Sequence, residues 1–304
     1  MAPSFAAARG LLERAAADHA FPAAVVEVGT PHQPLWREAF GRLSFEPTGT
    51  PAREDTYFDL ASLTKVLATA PLIMRIMERG GLGLDDPVSM HLRLWHDNHA
   101  GPPVTMRDLL AHCSGLPAYM PFFRQHAGRR AFEEAICTTP LVYEPRSASI
   151  YSDLGFMLLG FIVEDIAPLP VHFDTLMQQM GSIQDLQYHP PEVWRTRVAP
   201  TRHDEWRDRL LVGEVDDDNA WALGGAAGHA GLFGTAQSVG ECARHLLQIL
   251  EGRQGAFQAQ TLKEFVSRRT DVPGSSRALG WDTMLPTSSC GTPLSPRAFG
   301  HVGF

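Results

Sequence analysis

Ser62-Leu63-Thr64-Lys65 places a hydroxyl and an amine three residues apart at the start of an apolar stretch. On a helix that spacing puts both groups on one face. A serine hydroxyl attacks carbonyls poorly until a neighbouring base takes its proton, and a desolvated lysine can be that base. Arginine cannot, because it stays protonated at any workable pH. The chain has 24 arginines and only two lysines, Lys65 and Lys263, so a lysine at this position raises a chemical question. A helix N-terminus adds unpaired N–H groups and a positive dipole end near any developing oxyanion.

Two further groups have types that suit the same chemistry. Tyr151-Ser152-Asp153 precedes an apolar helical stretch. A tyrosine hydroxyl can relay a proton between nucleophile and leaving group. The plainer reading is a tyrosine packed at a helix start with Ser152 or Asp153 as its N-cap. His301-Val302-Gly303-Phe304 combines a donor or cation with a glycine, which on a strand edge lets a substrate approach the backbone. Other candidates are weaker. Gly224–Gly231 lacks the order and the following Lys-Ser/Thr of a phosphate cradle. His96-Asp97-Asn98-His99 reads as a wet loop rather than a metal site. No G-x-S-x-G elbow is present. His112-Cys113-Ser114-Gly115 reads as a turn closing a helix, with Gly115 left-handed.

The elements that must position these groups follow from periodicity. Residues 4–20 pattern as a helix, and 22–29 and 34–41 as two strands joined by a turn. Residues 62–79 pattern as one helix, kinked at Pro71 and ended by Gly80-Gly81. Residues 85–220 alternate helical pieces with loops, 200–219 being polar and loop-like. A helix is expected over 236–251, and strands over 277–284 and 297–304. Strands at both ends around a helical middle predict an α+β fold, an antiparallel sheet flanked by helices with an all-helical insertion. The expected division is 1–61 with 230–304 as the mixed part, and 62–229 as the helical part.

Composition narrows the function classes. The chain has 304 residues, 44% apolar and 20% charged, with net charge −8. That suits a globular chain with a real core and offers no basic stripe for nucleic acid. The four cysteines lack zinc-knuckle or redox spacing and suggest reduced thiols. No apolar run reaches transmembrane length and the first residues lack a secretory pattern, so a cytoplasmic location without membrane contact is expected.

Taken together, S-x-x-K, Y-S-D and H-x-G in this order resemble the serine β-lactamase and penicillin-binding-protein superfamily. The resemblance is nearest its class C-like branch, which includes DD-peptidases and carboxylesterases. Asp59–Lys65, Glu78–Val88, Thr105–Pro117 and Gly228–Thr235 are similar to further stretches of that family. The resemblance implies Ser62 as nucleophile, Lys65 as base and Tyr151 as second proton-transfer group. Asp153 and His301 would contact substrate, with Gly303 beside them. The backbone N–H groups of Ser62 and Phe304 would form the oxyanion hole. It implies a serine hydrolase that passes through an acyl-enzyme, acting on a small ester, amide or peptide with no metal or organic cofactor. Three departures stand out. Asp153 replaces the usual Asn and sets a negative charge beside Lys65. Arg146 replaces a usual Gly, and Asp216 a frequent His. Family members also continue beyond the H-x-G strand with further strands and a C-terminal helix. These departures leave a second expectation, a non-catalytic or truncated protein that binds without turnover.

Overall fold

The computed structural model describes residues 4–97, 101–166, 168–181, 183–285 and 294–304. Asn98 and His99 of the expected wet loop, and Cys290, lie outside the described residues. The chain opens with α1 (Ala6–Ala17), β1 (Ala23–Gly29), β2 (Pro34–Gly41) and β3 (Phe58–Asp59). A 3-10 turn (Ala61–Leu63) and a π turn (Lys65–Thr69) then lead into α2 (Ala70–Glu78). Next come α3 (Val88–His91), α4 (Met106–Leu110), α5 (Gly128–Cys137), α6 (Asp153–Glu164) and α7 (Leu169–Gln179). The remainder runs β4 (Leu186–Tyr188), β5 (His203–Asp204), β6 (Arg209–Leu210), α8 (Asp218–Ala222), β7 (Leu232–Gly234), α9 (Ala236–Leu250), α10 (Ala259–Val266), β8 (Asp282–Thr283) and β9 (Phe299–Gly300).

The fold is mixed helix and sheet, as expected. The strand ladders among the described residues are antiparallel, and they form four small sheets: β1–β2, β3–β7–β4, β5–β6 and β8–β9. The strands expected over 277–284 and 297–304 contract to two residues each. The polar stretch 200–219 contains the β5–β6 hairpin and the start of α8. The helix expected over 62–79 changes its hydrogen-bonding pattern along its length, from 3-10 to π to α. Pro71 sits in the first turn of α2, where a missing N–H costs least.

Local chemistry explains the helix starts. Thr105 with Asp108, and Thr235 with Ser238, form reciprocal capping boxes for α4 and α9. Ser152 caps α6 and Asp217 caps α8. Helix α6 is apolar all round because it is buried all round: Leu154 to Val163 are buried without exception. It packs against the π turn, α2, α4, α5 and α7. Among the described residues no single helix is long and apolar enough to cross a membrane.

Two glycines let the segment after α8 lie directly on α6. A Cβ at Gly228 would stand 2.2 Å from the Phe156 carbonyl oxygen and 2.8 Å from Gly160 Cα. A Cβ at Gly160 would meet the Gly228 backbone at 2.8 Å. Backbone opposes backbone, so neither side can give. Gly228→Ala should therefore lower stability by about 1–3 kcal/mol through forced overpacking. A urea midpoint unchanged from wild type would contradict this close approach.

Candidate active site

The site is assembled where β3 hands over to the Ser62 turn. Asp59, the last residue of β3, accepts the N–H of Ala61 at 2.8 Å and that of Asp216 at 2.7 Å. Burial pushes its carboxyl up to about 6, against the pull of those two N–H groups. Ala61 sits at φ +46°, a left-handed conformation that costs a non-glycine residue about 1–2 kcal/mol. That strained residue immediately precedes the serine, and the Asp59 hydrogen bond holds it. The π turn follows at once, a form concentrated at functional sites.

Lys65 is fully buried. Its Nζ donates to Ser62 Oγ at 3.0 Å and to the His229 carbonyl at 3.1 Å. Asp153 Oδ1 lies 2.7 Å away as an ion pair, off the line of an aligned hydrogen bond. Two threonines tie the same turn to the segment carrying His229. Thr69 Oγ1 donates to Gly228 O at 2.6 Å, and Thr64 Oγ1 accepts from Leu232 N at 3.2 Å.

Tyr151 completes the group. Lys65 Nζ lies 4.9 Å from its ring centroid and the Arg277 guanidinium 5.2 Å from it, both within cation–π range. Its hydroxyl is buried and has no hydrogen-bond partner among the described residues. The His112 ring is 4.6 Å from the Tyr151 ring, and His112 Nδ1 accepts the Ser152 N–H at 3.0 Å. Burial, with the nearby charges of Arg277 and Lys65, holds His112 well below the usual histidine range, which suits an acceptor nitrogen. Ser152 is the α6 cap, so the plainer reading of Tyr151-Ser152-Asp153 is correct for Ser152, while Tyr151 and Asp153 face Lys65.

The terminal motif differs from expectation in two ways. Strand β9 stops at Gly300, and His301–Phe304 has no strand pairing. His301 is also not a cation near neutral pH. Burial and the Lys65 charge lower it to about 4, and its Nδ1 faces Val302 O at 2.7 Å. The glycine allows a close backbone approach, since a Cβ at Gly303 would stand 2.9 Å from Leu60 O, and Gly303 also lines a cavity beside Ser62. That close approach brings Phe304 beside Ser62. Ser62, Tyr151 and Phe304 line two adjoining cavities. One, of about 720 Å³, extends toward Tyr119 and Asp216–Asp218; the other, of about 340 Å³, extends toward Arg277 and His301.

Arg146 shows why a glycine would suit its position. It sits at φ +67°, and its guanidinium is held by Asp108 at 2.5 and 2.9 Å. Gly115, in the turn after α4, sits at φ +91°, as expected. One pair escaped the sequence reading. His229, 1% exposed, places Nε2 2.9 Å from Asp217 Oδ1, behind the carbonyl that holds Lys65. They lie twelve positions apart, with α8 and a loop between them, so no single periodicity links them.

The beta-lactamase family model matches residues 8–304. A Salmonella gallinarum protein named "Putative D-alanyl-D-alanine carboxypeptidase" is 28% identical over 291 residues. The match covers 83% of this chain and 66% of that relative, so the chain spans about two thirds of the relative's length. Among solved structures, the octameric penicillin-binding protein homologue from Pyrococcus abyssi superposes with a TM-score of 0.73 at 20% identity, covering 92% of this chain and 65% of that one. A class C beta lactamase from Rhodobacter sphaeroides gives 0.71 at 21% identity, covering 92% and 75%. EstCE1, a hydrolase with promiscuous acyltransferase activity, gives 0.69 at 22% identity, covering 91% and 82%. At these identities the structural likeness establishes the fold.

Asp59 yields a pH test. Its folded value, about 6, is above the ordinary 3.8, so the folded state favours its protonated form. Its contribution is most favourable below pH 4 and is lost as pH rises to 6. The stability of wild type relative to Asp59→Asn should fall by about 2–3 kcal/mol across that window. Urea melts at several pH values would show this; parallel curves would contradict it.

Proposed function

The chain belongs to the beta-lactamase family, and from that premise we propose that it is a serine hydrolase that cleaves a small ester, amide or peptide through an acyl-enzyme on Ser62. The observation that carries the reading is the position of the Lys65 amine: fully buried, 3.0 Å from Ser62 Oγ, where two cavities meet.

In the proposed reaction, Ser62 Oγ bonds to the substrate carbonyl carbon as its proton passes to the Lys65–Tyr151 pair, which in the reactive state lacks one proton, as a neutral amine beside the phenol or an ammonium beside the phenolate. The carbonyl oxygen takes the negative charge and is held by the N–H groups of Ser62 and Phe304. Collapse breaks the bond to the leaving oxygen or nitrogen, which receives the proton. Water then repeats the sequence on the acyl-enzyme, releasing the acid and restoring Ser62. Asp153 balances the charge of Lys65. Tyr151, whose hydroxyl has no other partner, is the group we assign to carry the proton to the leaving atom. The carboxypeptidase name of the Salmonella relative supports a peptide donor, and the description of EstCE1 as a hydrolase with promiscuous acyltransferase activity supports acyl transfer. We favour ester and peptide donors over β-lactams.

Initial rates on short-chain nitrophenyl esters and on nitrocefin test this reading. Ester hydrolysis should disappear in Ser62→Ala, and nitrocefin turnover that outpaces the esters would overturn the substrate preference. Tyr151→Phe separates chemistry from structure. Its hydroxyl makes no hydrogen bond among the described residues, so removing it should change stability by less than about 1 kcal/mol. Turnover should fall by roughly 100-fold or more if it carries the proton. Unaltered turnover would remove Tyr151 from the mechanism.

A further inference from the structure

A tyrosine that hands its proton to a leaving atom bears negative charge for part of the cycle. In a buried site that charge needs a cation close by. Three neighbours of Tyr151 do not supply a net one. Lys65 is already matched, because Asp153 Oδ1 lies 2.7 Å from its Nζ. His301 is neutral near pH 7, since burial and the Lys65 charge lower it to about 4. Burial does the same to His112, whose ring lies 4.6 Å from that of Tyr151.

Arg277 remains. Its guanidinium lies 5.2 Å from the centre of the Tyr151 ring, and among the described residues it makes no ion pair. It is half-buried and lines the smaller cavity with Ser62, Tyr151 and His301, so its charge sits inside the reaction space. The reach of that charge shows in the two histidines, both of which it helps to hold low. The carboxylate of the same wall is Asp282, which accepts the Thr283 N–H at 3.0 Å. The backbone of Arg277 is fixed without its side chain: its N–H donates to Ser275 Oγ at 3.2 Å, and its carbonyl accepts the Arg269 N–H at 2.7 Å.

We propose that Arg277 is a positioning residue that acts through Tyr151: its guanidinium stabilises the phenolate that takes the proton of Ser62 and that is left again once the leaving atom is protonated. This rests on the hydrolase reading above and names a further residue for that reaction. It also accounts for Asp153 in place of asparagine. The Lys65–Asp153 pair carries no net charge, and a second cation, from the segment before β8, restores the positive charge beside Tyr151.

Initial rates on an uncharged nitrophenyl ester test this, because such a substrate has no anion for an arginine to grip. In Arg277→Ala, kcat/KM should fall by roughly 30-fold. Guanidinium chloride at a non-denaturing concentration should recover part of the loss, and sodium chloride at the same ionic strength should not. In a Tyr151→Phe background the same substitution should change the rate by less than about twofold, because the group it acts through is gone. Arg277→Lys should keep more activity than Arg277→Gln, a comparison that decides the matter if the alanine variant does not fold. Three results would overturn the inference while leaving the hydrolase standing: Arg277→Gln as fast as wild type, a full loss that persists in the Tyr151→Phe background, or a loss confined to an anionic ester such as a hemisuccinate. No turnover of any ester by wild type would instead sink the hydrolase reading and this inference with it.

Discussion

A lysine amine with no access to solvent is the constraint around which this molecule is arranged. Moving an ammonium out of water costs several kcal/mol unless partners replace its hydration. Here the partners are a serine hydroxyl, a main-chain carbonyl and a carboxylate, supplied by the Ser62 turn, the segment after α8 and the start of α6. Each must be held in place for the charge to be tolerated. Thr64 and Thr69 bind the first to the second, and the Gly160–Gly228 contact presses the second onto α6. The requirement to satisfy Lys65 and the positioning of Ser62 are thus one structural problem with one solution.

The strain around the serine follows from the same arrangement. Ala61 is left-handed, and a buried Asp59 carboxyl holds it there while also gripping Asp216. That grip connects the serine turn to the acidic wall of the cavity. Arg207, itself nearly inaccessible, gathers Asp204, Glu214 and Asp218 around it and gives the wall its shape. The serine turn and the acidic cavity wall are therefore joined through side chains that pair with one another inside the protein.

The local parts of this design are legible in the sequence. Ser62 and Lys65 meet because three residues of helical turn always bring such positions together. The Ser152 cap, the Gly115 turn and the strands at 23–29 and 34–41 are short-range consequences of residue type. What the sequence conceals is long-range or depends on hydrogen-bonding pattern. The passage from 3-10 to π to α between Ala61 and Glu78 leaves no trace in apolar spacing, which looks the same for one continuous helix. Arg207 reads as a surface residue because its neighbours are polar, yet its partners have displaced water around it. His229 and Asp217 pair across α8 and the loop that follows it, and His301 looks cationic until burial and Lys65 are taken into account.

The most direct measurement is intact mass after exposure to a fluorophosphonate, followed by peptide mapping. The buried Lys65 site predicts a single adduct on Ser62 of the folded protein, absent from Ser62→Ala. A folded chain that stays unlabelled, or that carries its adduct on another residue, would contradict the claim that this lysine exists to activate that serine.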